Sequence, residues 1–354
     1  MNQKISIIIP VYNSDLATLH NCIESLQKQR GKGYTIEAII VFDGEPNFEV
    51  PNWSSSLLTM RTITIKHSGV SIARNTGLRI ATGQWIMFLD ADDTLTDNAI
   101  ISLLHYAIDS HCDLVMGAYR SFIGDRVEEH HYSESNIIFT GSQRVKFQQD
   151  MLRPQQGIAL AWAKLYQLNL LRENQTNNDS TTKKKDNVIL VGFDERLSLG
   201  EDAEFAFRAS LASKKPGYIN TVVYEYRRNS QSAVRSFKND YALRTTLAVN
   251  VMSDTVSKLA NSYNIYLDDY ALFHLTILMI NYIFNPFAPW DSKERKKRYK
   301  EVINEPVFQT ALRHYHGGHF PITRQIALFS MKFHLYYISS AIAWIRHRQF
   351  NDAR

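Results

Sequence analysis

The first half of the chain alternates short apolar runs with stretches of helical periodicity. The apolar runs are bounded by polar or turn residues, which predicts strands at residues 5–10, 37–43, 61–66, 85–90 and 114–119. Apolar residues spaced three and four apart predict helices near residues 15–29, 71–81 and 97–109. Strands and helices in alternation are typical of an α/β sheet wound with helices on both faces.

The second half of the chain has a different pattern. Residues 172–187 contain no apolar side chain and therefore predict a mobile surface loop. After about Asp240 the strand signals stop and helical periodicity continues, for example at residues 242–260 and 268–283. The sequence predicts two domains, an α/β domain at residues 1–238 and a mainly α-helical region at residues 239–354.

Composition limits the class of protein and its compartment. The chain has 354 residues, of which 44% are hydrophobic, so it can bury a large core and is not disordered as a whole. Cys22 and Cys112 are the only cysteines, which excludes a disulfide scaffold and favours a reducing compartment. The N-terminal apolar run is too short for a secretory signal, and no uninterrupted run reaches the roughly 18 residues of a membrane span. We expect a cytoplasmic protein.

An acidic cluster follows the strand predicted at residues 85–90. Asp90, Asp92 and Asp93 stand at its carboxyl end, where ligands bind in α/β sheets, and Tyr12 and Asp43 follow two other predicted strands. Clustered carboxylates repel one another, and Mg²⁺ or Mn²⁺ prefers such oxygen ligands, so the cluster predicts a divalent cation. The alternative is that Asp92 or Asp93 caps the next helix.

Four motifs lie in order along the first domain: Pro10-Val-Tyr12-Asn13, Asp43-Gly44, Gly69-Val-Ser-Ile-Ala-Arg74-Asn75-Thr-Gly77 and Asp90-Ala-Asp92. Together they resemble the nucleotide-binding half of the family 2 glycosyltransferases, which adopt the Rossmann-like GT-A fold of nucleotide-diphospho-sugar transferases. The resemblance implies donor binding by Pro10, Tyr12, Asn13, Asp43, Arg74 and Asp90, and binding of Mn²⁺ or Mg²⁺ by Asp92. Phe42 and Glu45 depart from the family's usual Asp and Ser at this strand end. The resemblance favours a UDP-sugar as the donor.

The resemblance continues into the second half of the first domain. Trp162-Ala-Lys164-Leu-Tyr166 is similar to a family segment near the acceptor, and Glu201-Asp202 is similar to its acidic pair. In that family the Asp of the pair is the catalytic base, a role that inversion by direct displacement requires, and this implies Asp202. The alternatives are that Glu201 and Asp202 favour a helix N-terminus and that Trp162 is a core residue.

The segment 224–232 is similar to a family segment that often carries a histidine ligand for the metal, but it has no histidine here. Asp92, the diphosphate and water would then hold the ion, or Asn229 or a backbone carbonyl would replace the histidine. Arg227 and Arg228 would brace the diphosphate, or else form a solvated surface.

The last part of the chain is basic and aromatic. Residues 291–354 hold twelve Lys and Arg against five Asp and Glu, while the whole chain has a net charge of +5. Basic residues at 293–300 and aromatic residues from Phe329 to Trp344 suit the surface of an anionic membrane. The alternative is a helical core or the interface of a homo-oligomer. No nucleic-acid-binding motif accompanies the basic residues.

The resemblance to family 2 glycosyltransferases implies one expected function. The chain is expected to transfer a sugar with inversion from a nucleotide diphosphate to a hydroxyl of a lipid-linked saccharide, for cell-surface polysaccharide synthesis at the inner face of a bacterial membrane. A sugar-phosphate nucleotidyltransferase would need a Gly-rich phosphate loop after Ile9, and none is present. The remaining alternative is a degenerate transferase that serves as a scaffold, against which Asp90, Asp92 and Asp202 argue.

Overall fold

The computed structural model describes residues 2–124, 126–174, 188–227, 237–318 and 320–351. The chain divides into two compact units. The first takes in Met1–Met151 and Gln156–Asn229, and the second takes in Leu152–Gln155 and Ser230–Arg354. The domain assignment 1–238 and 239–354 remains a prediction.

The first unit is built on a mixed β-sheet. Its strands are β1 Gln3–Val11, β2 Tyr34–Asp43, β3 Leu58–Ile65, β4 Trp85–Phe88, β5 Thr94–Leu95, β6 Leu114–Ile123, β7 Arg126–His130, β8 Ile137–Ile138, β9 Lys164–Gln167, β10 Arg172–Asn174, β11 Val188–Leu190 and β12 Pro216–Arg227. Ten of them form one sheet in the order β3-β2-β1-β4-β9-β6-β12-β5, with β7 beside β6 and β8 beside β12. Strands β10 and β11 form a separate antiparallel pair.

Helices of the first unit connect these strands. They are α1 Leu16–Gln27, α2 Val70–Ile80, α3 Ala99–Asp109, α4 Gly141–Met151 and α5 Glu201–Ala212, with a short 3-10 helix at Leu168–Leu171. A second 3-10 helix, Pro154–Gln156, spans a boundary between the two units. Strands β3, β2, β1 and β4 are parallel, so their carboxyl ends lie at the same edge of the sheet. Strands β1 and β2 are mostly buried, and their central residues 7–9 and 38–42 are all apolar, as expected for parallel strands covered on both faces.

One close approach fixes α2 against the centre of the sheet. A Cβ atom at Gly77 would stand 2.5 Å from Cγ2 of Ile8, so only glycine allows α2 to lie this near to β1. Ile8 pairs with Ile39 of β2 on one side and with Phe88 of β4 on the other. The helix that carries Arg74 is therefore held beside the central strands.

The strands and helices predicted in the first half are confirmed, with small shifts of their ends. Strand β4 ends at Phe88, two residues earlier than predicted. The capping alternative for Asp92 and Asp93 is wrong, because the N-cap of α3 is Asn98 and β5 intervenes. Of the loop predicted at residues 172–187, residues 172–174 lie in β10 and the rest lies outside the described residues.

The second unit is helical, and its described part, residues 237–318 and 320–351, contains no strand. Its helices are α6 Tyr241–Val256, α7 Asn264–Leu278, α8 Ser292–Ile303, α9 Pro306–His314, α10 Ile322–Lys332 and α11 Tyr336–Asn351, with a 3-10 turn at Asn261–Tyr263 and a π-helical turn at Met279–Ile283. Helices α6 and α7 confirm the periodicity at residues 242–260 and 268–283. In the described parts of the chain, no helix has the length and apolarity needed to cross a membrane.

Candidate active site

The carboxyl end of β1 presents an aromatic surface. Tyr12 directly follows β1 and its side chain is 62% exposed. Its ring stacks on the ring of His67, with 4.2 Å between the centroids and an interplanar angle of 16°. Pro10 lies one residue before the end of β1, paired with Val41 of β2, and Asn13 has a left-handed φ of 52°. Exposed stacked rings at a strand end suit the face of a nucleobase.

Asp43, the last residue of β2, organises the loop that leads into α2. Its carboxylate is buried and accepts hydrogen bonds from Nδ1 of His67 at 2.9 Å, the Ser68 N–H at 2.6 Å and the Gly69 N–H at 2.9 Å. Both carboxylate oxygens therefore already have donors within the protein. Asp43 fixes the position of His67, and the part of Asp43 in donor binding stays a prediction.

A cleft of about 140 Å³ opens beside these residues. Its lining comes from the two segments that follow β1 and β2, namely Val11, Tyr12, Asn13, Ser14, Phe42, Asp43, Gly44, Glu45, Pro46, Asn47 and Phe48. Phe42 and Glu45, the two departures from the family pattern, both line it. The predicted donor residues Tyr12, Asn13 and Asp43 thus share one cleft.

Arg74 joins carboxylates from two other parts of the first unit. Its buried guanidinium donates from Nη2 to Asp90 Oδ1 at 2.8 Å, and from Nη1 to Asp202 Oδ1 at 2.6 Å and Glu201 Oε1 at 3.4 Å. Burial opposes the charge of Arg74, but Asp202 and Asp90 hold the pKa of its guanidinium above its ordinary value. The predicted donor residues Arg74 and Asp90 therefore meet the predicted base.

Asp202 lies in the first turn of α5, where the helix dipole favours negative charge. Burial raises the pKa of its carboxyl to about 7, against the opposing effect of Arg74, and the charge of Glu201 adds to the rise. The side chain keeps 22% of its surface exposed, and no hydrogen bond to Oδ2 is present among the described residues. A carboxylate with a pKa near neutrality and a free oxygen has the properties of a general base.

The three acidic residues after β4 have separate surroundings. Asp93 is buried and accepts hydrogen bonds from the Tyr224 hydroxyl at 2.7 Å and the Arg227 N–H at 2.8 Å, so it ties this loop to β12. Asp92 is half-buried, and burial together with the charge of Asp90 raises the pKa of its carboxyl. In the described part of the chain no three His, Cys, Asp or Glu residues are grouped to hold a metal. Metal binding by Asp92 stays a prediction.

The residues predicted near the acceptor lie largely in the core. Trp162 is buried and stacks on Tyr224 at 4.4 Å between centroids, which agrees with the alternative of a core residue. Lys164 is buried and donates from Nζ to the carbonyls of Ile158 and Leu160 at 2.8 and 2.7 Å, and burial lowers its pKa to about 7. The Arg227 side chain is exposed. Arg228 and Asn229 lie outside the described residues.

Residues 6–167 match the protein family described as glycosyl transferase family 2. This part of the chain is a glycosyltransferase family 2 domain. The mixed sheet, the helices that connect it and the helical second unit are those of a GT-A glycosyltransferase with a C-terminal helical region, as predicted.

Similar proteins are found by sequence and by structure. Glycosyltransferase GlyA of Streptococcus pneumoniae is 28% identical over 74% of this chain and 35% of GlyA. The poly(ribitol-phosphate) beta-glucosyltransferase of Bacillus spizizenii is 26% identical over 60% of this chain and 30% of that protein. The chain thus spans about a third of each relative's length. The crystal structure of S. aureus TarS 1-349 with UDP-GlcNAc has a TM-score of 0.63 and 16% identity, and covers 98% of this chain and 92% of that chain, which shows a shared fold.

Two residues of the candidate active site were not predicted. His67 bridges Tyr12 and Asp43, and nothing in its sequence neighbourhood signalled that role. Asn75 holds the segment before α5, because its Oδ1 accepts from the Phe193 N–H at 2.8 Å and its Nδ2 donates to Glu195 Oε1 at 3.0 Å. Asn75 belongs to the quoted Ala-Arg-Asn motif, so the sequence did carry a signal for it.

Proposed function

We propose that the chain transfers a sugar, with inversion at the anomeric carbon, from a UDP-sugar to a hydroxyl of a saccharide acceptor in the synthesis of a bacterial cell-surface polymer. The observation that carries this proposal is the guanidinium of Arg74, which contacts both Asp90 and Asp202. A residue at the predicted donor site is thereby held at a fixed distance from the predicted base. Fixed positions of donor and base are what a direct displacement requires.

The donor end of the site supports a nucleoside diphosphate. Tyr12, backed by His67, offers an exposed ring on which a base can stack, and the adjacent cleft of about 140 Å³ is lined by Asn13 and Asp43. Asp90 stands on the far side of Arg74, where it would meet the ribose. The structure of TarS, which shares this fold, contains UDP-GlcNAc, and this supports uridine as the nucleoside.

The reaction follows from the state of Asp202. Its Oδ2 would accept the proton of the acceptor hydroxyl while the acceptor oxygen bonds to the anomeric carbon. The bond from that carbon to the phosphate oxygen breaks on the opposite face, and UDP leaves with the electron pair. Arg74 keeps Oδ1 occupied, so Oδ2 is the oxygen directed to the acceptor.

The acidic loop fits Mn²⁺ or Mg²⁺. Burial and the charge of Asp90 disfavour ionisation of Asp92, and a bound cation would remove this penalty. When bound, a divalent ion supplies positive charge that stabilises the departing diphosphate. Asp92 would hold the ion, with the diphosphate oxygens and water as further ligands.

The acceptor is proposed from the relatives. One similar protein is a poly(ribitol-phosphate) beta-glucosyltransferase, which supports a surface-polymer acceptor for this chain as well. We extend the proposal to a lipid-linked form of that acceptor. Glu201 would act near it through its effect on Asp202, while the exposed side chain of Arg227 would brace the diphosphate.

Calorimetric titration tests the donor proposal. UDP, UDP-GlcNAc, GDP and dTDP are titrated into the protein with Mn²⁺ and, separately, with EDTA. We expect UDP and UDP-GlcNAc to bind more tightly than GDP, EDTA to weaken binding, and Tyr12→Ala to weaken it further. Tyr337→Ala, which removes an exposed tyrosine of the second unit, is the matched control and should leave UDP binding unchanged. Absence of UDP binding with Mn²⁺ would refute the proposal.

A further inference from the structure

A second cleft lies wholly within the second unit. It has a volume of about 740 Å³ and lies between α8 and the start of α11, together with the two residues before it. One wall carries lysines, namely Lys293, Lys296, Lys297 and Lys300, and the other carries His334, Leu335, Tyr336, Tyr337 and Ile338. The cleft is remote in sequence from every residue of the candidate active site.

The lysines share one face of α8. Their spacing of three, four and seven residues places them side by side on the helix, where like charges repel. The only ion pair that the structure gives to any of the four, in the described part of the chain, joins Lys297 to Glu301 at 3.8 Å. The face therefore has a local excess of positive charge that an anion would stabilise.

The opposite wall is apolar and exposed. Tyr337 is 72% exposed, and Leu335 and Ile338 are 44% and 46% exposed. Nζ of Lys296 donates to the Tyr337 hydroxyl at 2.6 Å and lies 4.4 Å from the centroid of the Tyr337 ring. This contact joins the cationic wall to the apolar wall, so one ligand in the cleft can contact both walls.

We propose that this cleft is a docking site for the surface of an anionic phospholipid bilayer. Lipid phosphates would occupy the lysine wall, while Tyr337, Leu335 and Ile338 enter the boundary between headgroups and acyl chains. Basic residues combined with exposed aromatic and aliphatic side chains are the features by which proteins bind such interfaces. A soluble phosphate polymer would use the lysines, but it would leave the exposed apolar wall without a partner.

Co-sedimentation of the full chain with vesicles tests the proposal. Vesicles of phosphatidylcholine with phosphatidylglycerol are compared with vesicles of phosphatidylcholine alone. We expect binding to the anionic vesicles and about tenfold or greater loss of partitioning in K293Q/K296Q/K297Q/K300Q. The control K28Q/K32Q/K214Q/K258Q removes the same charge from four exposed lysines elsewhere and should retain binding. Far-UV circular dichroism and thermal unfolding of the full chain show that each variant is folded.

A second variant separates the lipid from free phosphate. Tyr337→Ser keeps all four lysines and should reduce partitioning several-fold, because the apolar contact is lost. Inorganic phosphate at matched ionic strength should fail to displace the wild-type protein. The proposal would be overturned if the wild type partitioned equally to both kinds of vesicle, or if the quadruple variant bound as well as the wild type. It would also be overturned if the control variant lost as much binding as the quadruple variant. The same holds if Tyr337→Ser partitioned like the wild type and free phosphate displaced the protein from the vesicles.

Discussion

Arg74 and Asp202 are joined by a hydrogen bond of 2.6 Å from Nη1 to Oδ1, and the other end of the same guanidinium holds Asp90 at 2.8 Å. The contact ties α2 to the first turn of α5, 128 residues later in the chain. The sequence predicts Arg74 at the nucleotide, and its contacts add a positioning role between Asp90 and Asp202.

Replacing Arg74 should affect both stability and turnover. Arg74→Ala leaves the carboxylates of Asp90 and Asp202 without their buried partner. Because breaking a buried ion pair lowers the free energy of unfolding by about 3–5 kcal/mol, we expect a loss of that size. Arg74→Lys cannot form the two-ended contact and should lower kcat by about tenfold or more. Urea unfolding and steady-state kinetics measure the two effects. Arg79→Ala, on the same helix but paired at the surface with Glu195, is the control and should change either quantity little.

The pH dependence of turnover should report on Asp202. Because the base must be ionised, kcat/KM should fall as the pH drops through the pKa of Asp202, which is about 7. The charge of Glu201 contributes to raising that pKa, so Glu201→Gln should lower it and move the acid limb of the profile to lower pH. An acid limb that stays in place, or moves to higher pH, would contradict the assignment. Glu195→Gln is the matched control.

The stack of Tyr12 on His67 should govern nucleotide affinity. Removal of an aromatic ring that stacks on a base costs about 1–3 kcal/mol, and we expect such a loss of UDP affinity in Tyr12→Ala. His67→Ala should also weaken UDP binding, since Tyr12 loses its supporting ring, whereas His67→Phe keeps the stack and should bind nearly as wild type. Calorimetry measures all three variants. If His67→Phe binds UDP as weakly as His67→Ala does, the hydrogen bond from His67 to Asp43 contributes more to UDP affinity than the stack on Tyr12.

Much of this arrangement could be predicted from the sequence, because β1 and β2 have central apolar runs and Tyr12, Asp43 and Asp90 lie at or just beyond the ends of their strands. The roles of adjacent acidic residues could not. Asp93 accepts a hydrogen bond from the hydroxyl of Tyr224, 131 residues away in the chain. Which of Asp92 and Asp93 makes this contact depends on the folded structure and cannot be predicted from the sequence. Likewise, the motif around Trp162 predicts a residue near the acceptor, and the structure shows that the Trp162 ring stacks on Tyr224 in the core.

Glu37, a buried carboxylate outside the candidate site, should make the largest contribution to the loss of stability of the first unit at acid pH. Burial alone would raise the pKa of Glu37, but Ser6 Oγ at 2.6 Å and the Thr82 N–H at 2.9 Å, with other donors, lower it to about 2. The depressed pKa means that Glu37 stabilises the fold above about pH 4.5 and that this contribution is lost as the pH falls toward 2.

Glu37→Gln should therefore reduce the unfolding free energy at pH 7 by about 2–3 kcal/mol. The difference between the variant and the wild type should shrink as the pH approaches 2. Urea unfolding at several pH values measures it. Glu24→Gln, an exposed carboxylate on α1 paired with Lys28, is the control. A difference that stays constant across the pH range would contradict the role of Glu37.

The most direct test is the rate of UDP release from UDP-sugars by the wild type and Asp202→Asn, with the dissociation constant of UDP measured on the same samples. The account predicts that the rate falls about 100-fold or more while the dissociation constant changes by no more than about twofold, because Asp202 acts on the acceptor and not on the donor. An Asp202→Asn variant that releases UDP at the wild-type rate would contradict it.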